Sequence, residues 1–140
     1  NVLQAMILTD KEKMVLTPTY HVFDMYQAFM GAMPYPATVT APDYVQGDNR
    51  MPMADVFAAR GKDGKLILSI VNTDPNHAVQ VVTNLTGSAH GRILSAFAMD
   101  AHNTFANPNM VRPIPFSNSS EGGKMSFDMP AKSVAVVTVD

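Results

Sequence analysis

Apolar and polar positions change period once along the chain, near residue 53. Before that point the chain opens on a near-continuous apolar run, Val2, Leu3, Ala5, Met6, Ile7 and Leu8, the pattern of a strand covered on both faces. A charged turn, Asp10 to Lys13, leads into Met14-Val15-Leu16. Thr17 then offers an N-cap hydroxyl, and Pro18 suits a first helical position, where a missing N–H costs nothing. Val22, Phe23, Tyr26, Phe29 and Met30 fall on one face at helical spacing, and Gly31 is a stop signal. This predicts a helix over 18–30 with that stripe facing a core. Pro34, Pro36, Pro42 and Pro52 make 31–53 a linking stretch, with one strand expected at Ala37–Thr40.

From Ala54 onward the period is two. Strands are predicted at Asp55–Arg60 and Lys65–Asn72, joined through the hairpin signal Lys62-Asp63-Gly64. Asp74-Pro75-Asn76 makes a turn, followed by strands at His77–Leu85 and Arg92–Met99 with a break at Gly87. Ile93, Phe97 and Met99 are expected on one side of the second of these. A polar connection covers 100–109. Strands then follow at Met110–Ile114, Lys124–Met129 and Ser133–Val139, with turns at Gly122-Gly123 and Pro130-Ala131. Met125, Phe127 and Met129 share a face. About seven short strands with turn signals every 8–12 residues indicate an all-β chain, an antiparallel β-sandwich or jelly roll with one N-terminal helix.

Composition narrows the chemistry. The chain has 140 residues, 46% of them hydrophobic and 16% charged, which fits one globular domain and neither a disordered nor a membrane-spanning chain. Ten Lys+Arg against 12 Asp+Glu give a net charge of −2. That balance provides no electrostatic footprint for nucleic acid or anionic lipid. With no cysteine, disulfide frameworks and thiolate sites are excluded. The compartment stays open, with the cytoplasm preferred to secretion. The first residues carry neither an initiating Met nor a basic segment with a cleavage site. They read as a strand entered in mid-chain, the tail of something larger. Eleven methionines sit mostly at core-like positions, where they would fill gaps.

Few residues can do chemistry. Glu12 and Glu121 are the only glutamates, and each stands among turn-like polar neighbours, where a solvated charge is the ordinary outcome. His21, His77, His90 and His102 have no metal-ligand spacing, so neither a metal nor a cofactor is expected. His102 lies in the run Ala101-His102-Asn103-Thr104-Phe105 with no acid or nucleophile beside it. Hydrolase elbows, phosphate loops and dinucleotide fingerprints are missing from the sequence. Asn84-Leu85-Thr86 and Asn118-Ser119-Ser120 match glycosylation sequons, short patterns that are frequent by chance. No catalytic residue is assigned. A carbohydrate-binding sandwich usually offers Trp or Tyr faces to sugar rings. Here Trp is absent, and Tyr20, Tyr26, Tyr35 and Tyr44 all precede the sandwich.

Four stretches resemble the C-terminal end of family 51 α-L-arabinofuranosidases. Asn1 to Thr9 with Met14 to Tyr26 is similar to that family's last barrel strand and following helix. Lys65 to Asn72, with its Asp-Gly turn, is similar to the central sandwich hairpin. His102-Asn103-Thr104-Phe105-Ala106-Asn107-Pro108-Asn109-Met110-Val111 resembles the family's H-N-T-F-x-x-P-x-x-V stretch. Met129 to Val134 resembles its closing strand pair. The resemblance implies that 1–31 is the last strand and helix of a (β/α)₈ barrel whose remainder is not in this chain. It makes 32–53 a linking stretch and 54–140 the C-terminal β-sandwich. The two catalytic glutamates of the family lie on earlier barrel strands and match neither Glu12 nor Glu121. Some members contact arabinose through a Gln just before the last barrel helix. The corresponding Val15-Leu16-Thr17 has no Gln, which leaves Thr17 as the one candidate substrate contact beside its capping role.

The expected function is therefore that of a non-catalytic C-terminal domain of a retaining α-L-arabinofuranosidase acting on arabinose-containing plant polysaccharides or oligosaccharides. Its expected partners are the barrel domain of the same enzyme and further copies in a homo-oligomer, with neither nucleic acid nor membrane. An independent carbohydrate-binding module and a structural β-domain are the alternatives.

Overall fold

The computed structural model describes residues 5–140. Its elements are β1 (Ile7–Asp10), β2 (Lys13–Leu16), α1 (Pro18–Tyr26) with a 3₁₀ turn at Gln27–Phe29, β3 (Met33–Pro34), β4 (Asp43–Gln46), β5 (Asn49–Pro52), β6 (Ala54–Arg60), β7 (Leu66–Asn72), β8 (Val79–Thr83), β9 (Ser88–Leu94), β10 (Ile114–Ser119), β11 (Met125–Met129) and β12 (Ser133–Val139). Six strands form one antiparallel sheet in the order β10-β9-β12-β7-β6-β3, and β11 pairs with β8 in a second sheet. The all-β sandwich with one short helix agrees with the sequence pattern.

The six-stranded sheet is covered on both faces. On one, Ile70, Ala135 and Val137 pack with Met125, Met129 and Phe127 of the smaller sheet, and Phe116 of β10 meets Phe127 edge-on at 4.9 Å between ring centroids. On the other, Ile67, Leu94 and Val136 pack with Met25 of α1 and Val111 of the 95–113 connection. This double burial explains why β7 is buried at Ile67, Leu68, Ser69 and Ile70 in succession and does not simply alternate. Large methionines facing Ala58, Ala89 and Ala135 let the layers interdigitate. Gly91 of β9 permits the closest approach. A Cβ there would lie 2.1 Å from the Val136 carbonyl oxygen and 2.7 Å from the Val137 Cα, so only hydrogen fits between β9 and β12.

Several sequence expectations are corrected. Of the strand expected over 2–8, residues 2–4 lie outside the described residues. The described part enters β1, which pairs with β2 as a hairpin and is exposed at all four of its positions, not covered on both faces. The core-facing stripe runs through Val22, Met25 and Tyr26 of α1 and Phe29 of the 3₁₀ turn, with Met25 fully buried, while Phe23 and Met30 stand in solvent. Spacing allowed either choice at the stripe's margin, and the sheet takes the residues at i, i+3, i+4 and i+7. Ala37–Thr40 forms no strand. Instead 43–52 folds into the β4–β5 hairpin around Gly47-Asp48, with Gly47 at φ +60°. The strand expected at Arg92–Met99 begins earlier, after Gly87, and ends at Leu94, leaving Phe97 and Met99 exposed. Met110–Ile114 gives way to β10 at Ile114–Ser119, an edge strand that tolerates Pro115.

Candidate functional site

The junction of β2 and α1 holds Thr17, the sequence's one substrate-contact candidate. Its hydroxyl lies 3.0 Å from the carbonyl oxygens of both Ala5 and Met6, to which its single proton donates, and it accepts the Tyr20 N–H at 3.4 Å. The Thr17 N–H donates to Met6 O at 3.0 Å. In this chain the hydroxyl therefore caps α1 and ties the entering backbone to it. One residue earlier, the Leu16 carbonyl accepts the Asn103 side-chain amide at 2.8 Å. The same amide nitrogen donates to Val111 O at 2.8 Å, and Asn103 Oδ1 accepts the Val111 N–H at 2.7 Å. A buried Asn thus clamps the long connection to the start of the helix.

Beside this junction lies a cleft of about 290 Å³ lined chiefly by Pro18, Val71, Leu94, Ala98, Met99 and Val111. Two polar side chains at its margin are already engaged. Lys132 Nζ donates to Pro75 O at 2.7 Å. Asn72 Nδ2 reaches His77 O, Met129 O and Pro130 O at 2.9, 3.2 and 2.9 Å. A cleft with such walls favours an apolar side chain over a sugar, whose hydroxyls would go unpaired.

The titratable residues are dispersed. Glu12 is exposed in the β1–β2 turn, and Glu121 is exposed in the β10–β11 turn, where its backbone pairs with that of Lys124. His102 is exposed, with Nδ1 2.9 Å from Asp100 O. Asp74 is buried and accepts the N–H groups of Asn76 and His77 at 2.7 and 3.0 Å, with His77 Nδ1 at 3.0 Å. The Asn76 N–H above all, then His77, holds its carboxyl below the usual carboxylate range against an opposing effect of burial. Asp140 joins Lys65, His90 and Ser88 at the sheet margin, and the Lys65 ammonium holds its carboxyl low. Asp24 of α1 pairs with Arg92 of β9 at 2.6 Å, and Tyr26 bonds Ser69. His21 Nε2 is buried without a hydrogen-bond partner. Burial lowers its imidazole pKa, Asp24 opposes and Arg92 reinforces that shift. Among the described residues, no three His, Asp or Glu side chains gather as metal ligands would, and no helix is long and apolar enough to cross a membrane. Of the tyrosines, Tyr35 carries Arg60 over its ring at 5.0 Å from the centroid.

Asn72, Asp74 and Asn103 were not singled out from the sequence as organising residues. Asn72 and Asp74 stand at a strand end and a turn, where such residues bond local backbone. Asn103 sits inside the H-N-T-F stretch, whose more conspicuous His102 makes a single local contact.

Residues 1–133 match the family described as the α-L-arabinofuranosidase C-terminal domain. The chain is 39% identical over 143 aligned positions to an intracellular exo-α-L-arabinofuranosidase of Bacteroides ovatus. The match covers 98% of this chain and 28% of that protein. The family 51 arabinofuranosidase structure from Xanthomonas axonopodis pv. citri superposes with a TM-score of 0.92 at 36% identity, over 100% of this chain and 29% of that one. The family 51 enzyme from Thermotoga petrophila RKU-1, at 23% identity and a TM-score of 0.83 over 97% and 31% of the two chains, shares the fold. The chain thus spans under a third of these relatives' length.

Proposed function

The chain belongs to the C-terminal domain family of family 51 α-L-arabinofuranosidases, and from that premise we propose that it is the non-catalytic domain of a retaining enzyme that removes terminal α-L-arabinofuranosyl groups from plant polysaccharides or oligosaccharides. In this reading residues 1–31 are the last strand and helix of the catalytic barrel, 32–53 link, and 54–140 form the sandwich. Thr17 is the residue nearest the sugar pocket in this reading, acting by fixing the backbone at the start of α1. A contribution to a homo-oligomer belongs to the same reading.

The observation that carries the non-catalytic role is the placement of Glu12 and Glu121 in separate exposed turns. A retaining glycosidase needs two carboxyls about 5 Å apart across the scissile bond, and exposed turns supply neither the spacing nor the enclosure. The test is to assay the whole polypeptide that carries this domain on an aryl α-L-arabinofuranoside. Hydrolysis with retained anomeric configuration is expected. A folded whole protein without that activity overturns the assignment.

A further inference from the structure

Asn103 and Val111 close a loop. Both are buried, and the Asn103 carboxamide makes two hydrogen bonds to the Val111 backbone, at 2.7 and 2.8 Å. Between them, every residue from Phe105 to Met110 is exposed. A turn shapes this segment: the Asn107 N–H donates to the Thr104 carbonyl at 3.1 Å and to its hydroxyl at 3.0 Å, and the Thr104 N–H donates to Asn107 O at 3.2 Å. These bonds use the backbone of Asn107 and leave its carboxamide out. Compact surface loops pinched at their ends are frequently functional.

The loop's chemistry suits a neutral ligand rich in hydroxyls. Residues 103–111 include no charged side chain. Asn107 and Asn109 each present a carboxamide with two donors and an acceptor, the set that pairs with sugar hydroxyls. Pro108 between them fixes φ, so less backbone freedom is lost on binding. Phe105 and Met110 add exposed apolar surface for the C–H face of a sugar ring. Ala106, Asn107, Pro108, Asn109 and Met110 together line an open concavity of about 360 Å³.

The loop's anchor gives that ligand an identity. Met6 O accepts the Thr17 N–H at 3.0 Å, so the chain departs at Met6 and returns at Thr17, with the β1–β2 hairpin extending from that point. With 1–31 read as the last strand and helix of a barrel, the hairpin is a strand-to-helix connection, and such connections build barrel active sites. Asn103 fastens the loop to the Leu16 carbonyl, at the hairpin's base, at 2.8 Å. Out and back from that anchor, 104–110 reaches about 12 Å. We propose that the 103–111 loop binds the saccharide from which the terminal arabinosyl unit is released, with Asn107 and Asn109 hydrogen-bonding its hydroxyls and Asn103 acting as a positioning residue through Leu16. The inference rests on reading the chain as one domain of an exo-acting arabinofuranosidase. It adds a substrate contact made by the sandwich itself, on the leaving-group side of the scissile bond.

The test compares the whole polypeptide with its Asn107→Ala, Asn109→Ala double variant on two substrates. One is an aryl α-L-arabinofuranoside, which has no saccharide beyond the scissile bond. The other is a linear arabino-oligosaccharide. Both asparagines are exposed, so the variant keeps the fold. The kcat/KM on the oligosaccharide, divided by that on the aryl substrate, is expected to fall about tenfold or more, as the loss of two hydrogen bonds would give, mainly through KM. Asn84→Ala, in the exposed turn after β8, is the control and is expected to keep the parental ratio. An active parent whose ratio is unchanged in the double variant overturns the loop's role and leaves the enzymatic reading standing. Equal losses on both substrates, or a fall shared by Asn84→Ala, overturn it as well. A folded whole protein inactive on both substrates sinks the enzymatic reading, and the proposal with it.

Discussion

The Asn103 side-chain amide donates to the Leu16 carbonyl across 87 positions of chain, at 2.8 Å. The two residues belong to segments that otherwise have little reason to meet, a polar connection between β9 and β10 and the last residue of β2. Because the same carboxamide also exchanges both hydrogen bonds with the Val111 backbone, it fixes the connection's shape and position together. Thr17 performs the matching task from the other side, through Ala5 and Met6.

Asn103→Ala should therefore cost more than a surface change. It strands the buried Val111 N–H and both carbonyl oxygens that share the amide, at about 1–3 kcal/mol for each fully buried group. A loss of about 3 kcal/mol is expected, with Asn103→Asp falling between because it keeps only the acceptor for Val111 N–H. Urea unfolding of the purified chain measures it. A loss below about 0.5 kcal/mol, the range of ordinary surface substitutions, would show that the clamp contributes nothing to stability.

The sandwich was legible because strands with one face on a core repeat every second residue. Met125, Phe127 and Met129 sit on one face, as their spacing indicates, and the Lys62-Asp63-Gly64 turn joins β6 to β7. The errors fall where a long-range partner decides. Phe97 and Met99 look like strand residues locally, but β9 is placed by its pairing with β12, which ends at Leu94. Phe23 looks like core until the sheet selects Met25. Asn103 could not be read as a clamp, since its partner Leu16 lies far off in sequence and no local period marks the contact.

Gly91→Ala tests the close approach of β9 to β12. The added Cβ would meet backbone atoms of Val136 and Val137 at 2.1 and 2.7 Å, and these cannot swing away as a side chain could. Overpacking of this kind costs about 1–3 kcal/mol, and rigid backbone on the far side puts the expected loss at the upper end. The midpoint of denaturant unfolding should fall with an unchanged m-value. Gly47→Ala is the contrast. It meets open space but sits at φ +60°, so about 1 kcal/mol of backbone strain is expected.

His21 predicts a pH dependence of definite sign. Its folded pKa lies below the ordinary imidazole value, first because of burial, with Asp24 opposing and Arg92 adding to the shift. Between the folded and unfolded pKa the unfolded chain binds the proton and the folded chain does not, so stability rises with pH there. The contribution is complete above about pH 6.5 and declines as pH falls towards the folded pKa. His21→Gln removes this titration. The stability of the parent relative to the variant should drop on acidification from about pH 8 to pH 5, and parallel curves would contradict the assignment. At lower pH Asp74, whose carboxyl is held low chiefly by the Asn76 N–H, acts in the same direction. Its contribution is present above about pH 4 and disappears as pH falls through its folded pKa.

The isolated 140-residue chain should not hydrolyse arabinofuranosides. The family's reaction passes through an oxocarbenium-like transition state between a nucleophilic carboxylate and a carboxylic acid, held about 5 Å apart. Glu12 lies in the exposed turn between β1 and β2, and Glu121 in the exposed turn between β10 and β11. Neither lines a cleft. Asp74, a buried carboxylate, is held below the usual carboxylate range and spends its oxygens on Asn76 and His77. The 290 Å³ cleft beside Pro18 has mostly apolar walls and no Asp or Glu among its lining residues. Purified chain incubated with an aryl α-L-arabinofuranoside should match buffer, and the Glu12→Ala, Glu121→Ala double variant should match the parent. Turnover well above buffer that disappears in the double variant would make these two turns an active site and would refute the non-catalytic role.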